Sequence, residues 1–168
     1  ALGSRGLEVV GTDASAPLIE AARRAGGAEF HVASYGELAA DPARAGSGYD
    51  VAVANFALLD EDMDPLLASL RRILVPGGAL VVQTVHPASA GAPYRDGWRT
   101  EDFAGFGNGA NGEGDGAGSW RPMPWYFRTL GSWLDLLRRT GYGLTDLDEP
   151  VHPETQLPLS LLMTAQPA

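Results

Sequence analysis

The sequence contains neither cysteine nor lysine, and each absence removes a group of chemistries. Without cysteine there is no disulfide, no thiolate metal site and no cysteine nucleophile. All 12 basic residues are arginine, so Schiff-base formation and any mechanism that needs a lysine amine are closed to this chain. Basic residues are outnumbered by 21 acidic ones, and the formal net charge of -9 argues against nucleic acid as a partner, because affinity for a polyanion rests on Lys and Arg neutralising phosphates. No run approaches the roughly 20 apolar residues of a membrane span. The opening Ala1-Leu2-Gly3-Ser4-Arg5-Gly6 has no apolar signal core, so a cytoplasmic protein without a membrane partner is expected. No metal site is expected either.

What is present suits a folded domain. At 168 residues the chain fits one domain, 1–168, and a fold of that size buries roughly 70% of the surface its unfolded chain exposes. The 45% hydrophobic and 20% charged content is ordinary for a globular protein.

The opening reads as the last turn of a helix closed by Gly6. Leu7-Glu8-Val9-Val10-Gly11-Thr12-Asp13 is a short β-rich run ending in a carboxylate, and Ser15-Ala16-Pro17 starts a helix that Gly26-Gly27 stops. Residues 28–33 and 49–54 are strand candidates, the second nearly continuous in apolar residues, as strands buried on both faces are. Met63, Leu66, Leu67, Leu70, Ile73 and Leu74 recur at the three- and four-residue spacing of one helix face, with Pro76-Gly77-Gly78 after it. Residues 79–85 are a further strand, after which pattern disappears through the glycine-rich stretch to residue 124, giving an expected lid or flexible insertion at 87–124. Leu130, Trp133, Leu134 and Leu137 mark another helix closed by Gly141, and 143–148 and 157–165 read as two final strands. The order predicts an α/β fold, a mostly parallel Rossmann-like sheet with helices on both faces and a C-terminal antiparallel hairpin.

Taken in that order, Val9-Val10-Gly11-Thr12-Asp13, Tyr49-Asp50-Val51-Ala52-Val53-Ala54, Leu74-Val75-Pro76-Gly77-Gly78 and Arg128-Thr129-Leu130 running to Glu149-Pro150 resemble class I S-adenosylmethionine-dependent methyltransferases of the broad bacterial small-molecule type, over residues 2–166. The resemblance implies methyl transfer from S-adenosylmethionine to a small-molecule acceptor. It implies too that the first strand of the family and its glycine loop, which holds the methionine part of the cofactor, would precede Ala1. Gly3 to Gly6 do not fit that loop, since a strand rather than a helix follows them. In the family's sheet that strand lies in the middle, so its loss would expose two strand edges and an apolar slot, a surface open to self-association.

The same resemblance assigns site residues, each beside a plainer reading. Asp13, with Ala14 after it, would meet the cofactor ribose; otherwise it is a turn or cap carboxylate. Ser34 and Tyr35 would meet the adenine, where the family commonly has an acid; otherwise Ser34 caps a helix and Glu37 completes a capping box. Asn55, Phe56 and Ala57 would line the cofactor pocket, unless Phe56 packs in the core. His86 is the candidate general base and a substrate-facing residue, or else a strand-end histidine bonded to backbone. Tyr94, Trp125, Tyr126 and Arg128 would contact substrate in a lid that also carries Trp98, Phe103, Phe106, Trp120 and Phe127, or those aromatics pin the segment to the core. His31 and His152 read as structural.

Two other functions fit part of the pattern. A nicotinamide-dependent oxidoreductase would use Asp13 equally well, but the absence of lysine removes a Tyr-Lys catalytic pair, and the C-terminal helix, strand and strand suit it less. A non-catalytic binding domain of methyltransferase descent would use the exposed edges or the aromatic lid.

Overall fold

A computed structural model describes residues 3–101 and 122–168. The strand expected ahead of Ala1 lies outside these residues. A 3-10 turn, Gly3–Arg5, is closed by Gly6 in the left-handed region at φ 80°, consistent with a helix end. β1 (Val10–Asp13) leads into α1 (Ala16–Ala25), which has Pro17 in its first turn and Gly26 at its end. β2 (Glu29–Val32) runs parallel to β1, from Val10 opposite Glu29 to Asp13 opposite Val32. α1 packs on this pair and buries Ile19.

α2 (Tyr35–Ala40) and a 3-10 turn, Pro42–Ala45, connect to β3 (Tyr49–Asn55), α3 (Asp64–Leu70) and β4 (Leu74–Val85). The apolar spacing from Met63 to Leu74 predicts a longer helix than forms. Met63 sits at the N-cap, while the Ile73 carbonyl already accepts from the amides of Gly48 and Tyr49 at 2.8 and 2.9 Å. Leu74 then pairs with Tyr49, so β4 begins before Pro76-Gly77-Gly78 rather than after it. The register shifts between Tyr49 and Val51, and a Cβ on Gly78 would lie 3.0–3.1 Å from the carbonyl oxygens of Val75, Asp50 and Tyr49. Glycine there admits the irregularity without ending the strand.

The stretch read as a patternless lid contains regular structure. β5 (Gly97–Glu101) and β6 (Met123–Phe127) form an antiparallel hairpin, with Trp98 opposite Tyr126 and Arg99 opposite Trp125. Alternation was hidden because an arginine occupies an inward position of β5. The Arg99 guanidinium lies 3.5 Å from the centre of the Phe127 ring and donates to the carbonyls of Ala90, Gly91 and Pro93. The glycine run at 105–118 and the aromatics Phe103, Phe106 and Trp120 lie outside the described residues. α4 (Leu130–Arg139), β7 (Tyr142–Asp148) and β8 (Ser160–Pro167) complete the chain.

The strands form an α/β fold of mixed sheets. β3, β4, β8 and β7 make a four-stranded sheet in that order, with β3 and β4 parallel and the β7–β8 pair antiparallel as expected. β1 and β2 form a separate pair, and among the described residues β1 and β3 share no ladder. The main core lies on one face of the larger sheet, where Ala54, Leu80, Val82, Leu161, Met163 and Ala165 meet Leu66 and Leu67 of α3 and Trp133, Leu136 and Leu137 of α4. Burying a side chain such as Leu80 fully is worth about 1.5–3 kcal/mol. The opposite face of β3 corrects the expectation of two buried faces: Val51 and Val53 are 48% and 56% exposed.

Polar contacts lock the helices to this core. The Tyr142 hydroxyl donates to the Leu67 carbonyl at 3.1 Å, and burial pushes its pKa up to about 12. Arg139 binds both carboxylate oxygens of Asp64 at 2.6 and 2.7 Å, joining α4 to α3. That hydrogen-bonded pairing holds the Asp64 carboxyl below its ordinary range, against the upward push of desolvation. A carboxyl whose folded-state pKa lies below the unfolded one contributes fully at neutral pH, and the contribution disappears as pH falls through the folded value. The stability advantage of wild-type protein over Asp64→Asn is therefore expected to shrink as the pH is lowered from 7 to below the ordinary Asp pKa of about 3.9, read as urea midpoints for the two chains. A constant difference across that range would show that the pair is not the source.

Candidate functional site

β7 and β4 are both antiparallel to β8, so the ends of β3, β4 and β7 share one edge of the larger sheet. Loops leaving such a carboxyl edge are where open α/β folds hold ligands. Asp13 ends β1, Ser34 follows β2, Asn55 ends β3, His86 follows β4 and Glu149 follows β7.

Asp13 makes a tight local turn: its Oδ1 accepts from the Ser15 amide at 2.7 Å. The residue is exposed, as is Ala14 beside it. Turn carboxylate and ligand acceptor are thus compatible roles for one side chain. Ser34 takes the capping-box arrangement, with its Oγ accepting from the Glu37 amide at 3.3 Å and the Glu37 carboxylate accepting from the Ser34 amide at 2.9 Å. Its hydroxyl also donates to Glu37 at 2.9 Å, so its one hydrogen is used at the start of α2.

Tyr35 donates its hydroxyl to the Ala57 carbonyl, which ties the start of α2 to the loop after β3. Burial raises the phenol's pKa; a hydrogen bond with the Leu59 backbone opposes this, and the charges of Asp60 and Asp13 add to it. Tyr35 and Ala57 therefore meet, at the loop that continues to Asp60. Phe56 adopts φ 50° with a ring 41% exposed, so it is not a core residue. A left-handed conformation at a bulky residue costs on the order of 1–3 kcal/mol and is held where the surroundings impose it. Here the Phe56 amide donates to the Gln83 carbonyl of β4 at 2.8 Å.

His86 is 7% exposed and both ring nitrogens are engaged. Nδ1 accepts from the Ala88 amide at 3.2 Å, which puts the proton on Nε2, and Nε2 donates to Glu149 at 2.7 Å. The backbone amide of His86 donates to the Leu159 carbonyl at 3.1 Å. This is the geometry of a strand-end histidine that joins β4 to the turn between β7 and β8. A role as general base would require one of these bonds to open.

The hairpin roofs this edge. Trp125 and Phe127 bury one face of it against Val85, Leu59 and Ala90, and the Tyr126 amide donates to the Leu59 carbonyl at 2.8 Å. Trp98 and Tyr126 stand on the other face in an edge-to-face pair 5.6 Å apart, with the Trp98 indole donating to Glu61 at 3.3 Å. The Tyr94 hydroxyl accepts from the Leu130 amide at 3.1 Å. Asp96 accepts from the Thr129 amide at 2.8 Å and from the Ser132 hydroxyl, and so caps α4; burial raises its pKa, but those bonds outweigh it and hold the carboxyl low. Arg128 is 3% exposed and donates to the carbonyls of Asp60 and Glu61.

The predicted residues thus fall into two groups. Tyr35, Phe56 and Ala57 meet in or at the loop after β3, while Trp125, Tyr126 and Arg128 reach the same loop from the hairpin side. Sequence reasoning missed Asp60, Glu61, Asp96 and Glu149. The acidic run Asp60-Glu61-Asp62 directly after a strand end was the signal for the first two. Among the described residues there is no group of His, Asp and Glu able to hold a metal, and no helix long and apolar enough to cross a membrane.

The profile of a family described as a methyltransferase domain matches residues 1–80. No curated protein sequence matches significantly. Among solved structures, an S-adenosylmethionine-dependent methyltransferase from Mesorhizobium loti is 23% identical, with 94% of this chain and 79% of that chain covered at a TM-score of 0.65. The CcbJ methyltransferase from Streptomyces caelestis is 16% identical, with coverage of 99% and 77% and a TM-score of 0.68. A Burkholderia thailandensis 1,6-didemethyltoxoflavin-N1-methyltransferase, solved with 1,6-didemethyltoxoflavin and S-adenosylhomocysteine bound, is 20% identical, with coverage of 98% and 63% and a TM-score of 0.60.

Proposed function

Starting from a chain that has the fold of class I S-adenosylmethionine-dependent methyltransferases and a first half matching a methyltransferase domain, we propose that it transfers a methyl group from S-adenosylmethionine to a small-molecule acceptor. The observation that carries this reading is Asp13, an exposed carboxylate at the end of β1 whose Oδ1 accepts from the Ser15 amide, at the position from which a ribose would be bound. Phe56 and Ala57, held in place by Gln83 and Tyr35, supply a wall for the adenine side.

The bound cofactor supplies a methyl group on a sulfonium, a carbon that already carries a good leaving group. The chain's residues then chiefly align the reactants and exclude water. Trp125 and Phe127 close the hairpin over Val85 and Leu59 and keep the carboxyl edge dry. Tyr94, Tyr126 and Arg128 shape the acceptor side through the hairpin and the start of α4. His86, bound at both nitrogens, fixes the end of β4 against Glu149 and would take a proton only from an acceptor that displaces one partner. The acidic composition favours a small molecule over nucleic acid as acceptor.

Calorimetric titration of the chain with S-adenosylhomocysteine, and in parallel with a reduced nicotinamide dinucleotide, tests the proposal. Heat with the first ligand alone is expected. Heat with the nicotinamide dinucleotide alone would replace methyl transfer by hydride transfer at the same Asp13.

A further inference from the structure

Arg128 is the most deeply buried cation among the described residues, yet it meets no carboxylate directly. Both hydrogens of its Nη2 go to main-chain oxygens, those of Asp60 and Glu61, each at 2.6 Å. Its guanidinium carbon lies 4.9 Å from the centre of the Tyr126 ring and 5.1 Å from that of Trp133. Burial lowers its pKa; Tyr126, Asp96 and Asp64 act in the opposite direction. Nη1 is buried without a hydrogen-bond partner among the described residues, a cost that is accepted where the rest of the group is needed in one place.

The two carbonyls it holds belong to the loop after β3. That loop starts with Asn55, Phe56 and Ala57, passes through Leu59, whose carbonyl accepts from Tyr126, and reaches Glu61, whose side chain accepts from Trp98. No side chain of the loop reads Arg128, so replacing Asp60 or Glu61 by other residues would leave these bonds possible. These two bonds reach the loop from outside it, at the junction of β6 and α4.

We infer that Arg128 is a positioning residue for the cofactor-side loop, holding the 56–61 backbone through the Asp60 and Glu61 carbonyls and so coupling the acceptor-side hairpin to cofactor affinity. This rests on the reading that Phe56 and Ala57 border the cofactor. Lysine retains the charge but offers a compact ammonium on a different stem, and it reproduces neither the planar contact with two rings nor the fixed fork of donors.

The test compares wild-type protein with Arg128→Lys by calorimetric titration with S-adenosylhomocysteine and by amide hydrogen exchange. The Lys variant is expected to bind about 10-fold more weakly. The amide of Phe56, which ties the loop to Gln83, and that of Tyr126, which donates to Leu59 of the loop, should exchange faster while those within β4 and β8 keep their protection. Unchanged affinity with unchanged exchange at Phe56 and Tyr126 overturns the inference, as does a loss of protection spread evenly over β4 and β8. If wild-type protein gives no heat with S-adenosylhomocysteine, the methyl-transfer reading falls, and the exchange pattern alone still decides whether Arg128 orders the loop. Should the Lys variant prove unfolded by near-ultraviolet circular dichroism, Arg128→Gln is read by the same two measurements.

Discussion

Asp13→Asn should weaken binding of S-adenosylhomocysteine by about 10- to 100-fold, the equivalent of losing a hydrogen bond to a charged group worth about 1.5–3 kcal/mol. The substitution separates the two roles of this side chain. Asparagine keeps an oxygen that can accept from the Ser15 amide, so the turn into α1 survives. What it loses is the charge and one of two acceptors, and an amide nitrogen turned towards a ribose hydroxyl can only donate. Because the position is exposed, thermal unfolding of the variant should stay close to wild type. Asp13→Ala removes the turn acceptor as well and should lower both affinity and melting temperature. Equal affinities in wild-type and Asn chains would leave Asp13 as a turn residue only and would remove the main support for cofactor binding at this edge.

The largest loss of stability is expected from Trp133→Ala, at about 3–5 kcal/mol. Trp133 is 2% exposed in α4 and packs in the main core with Leu136 and Leu137 on the same helix. Its removal leaves a large cavity, and it also strips one of the two rings that flank the Arg128 guanidinium. Domains of this kind have total stabilities of about 5–15 kcal/mol, so the variant would forfeit a large part of the total. Urea unfolding followed by far-ultraviolet circular dichroism measures it. Trp98→Ala is the control, since Trp98 is 54% exposed and should cost about 1 kcal/mol or less. A Trp133 variant no less stable than the Trp98 variant would mean that the core has been wrongly located.

Local signals in the sequence were legible where a residue's role depends on its neighbours in the chain. The β-rich run into Asp13, the apolar period from Leu130 to Leu137 and the Ser34 to Glu37 capping box all appear where the sequence puts them. The β5–β6 hairpin was not legible. Its inward position on one strand is Arg99, whose apolar partner Phe127 lies 28 residues further on, past the end of any periodicity window. Leu74 looked helical because the apolar spacing continues through it, although the backbone has already turned to pair with Tyr49. The bond between His86 and Glu149 spans 63 residues and has no local signature. Arg128 following Trp125, Tyr126 and Phe127 reads as ligand-facing, but its acceptors are main-chain oxygens, which no side-chain pattern encodes.

The β1–β2 side of the molecule and the four-stranded sheet share one apolar core, in which Ala33 and Leu38 are buried together with Leu66, Leu67, Leu80 and Val82 and Val10 packs against them. A ligand held between Asp13 and the ends of β3 and β4 would therefore add its binding free energy to the stability of that core. Affinity at this edge and resistance to unfolding are then one linked equilibrium, read as a melting temperature that climbs with ligand concentration.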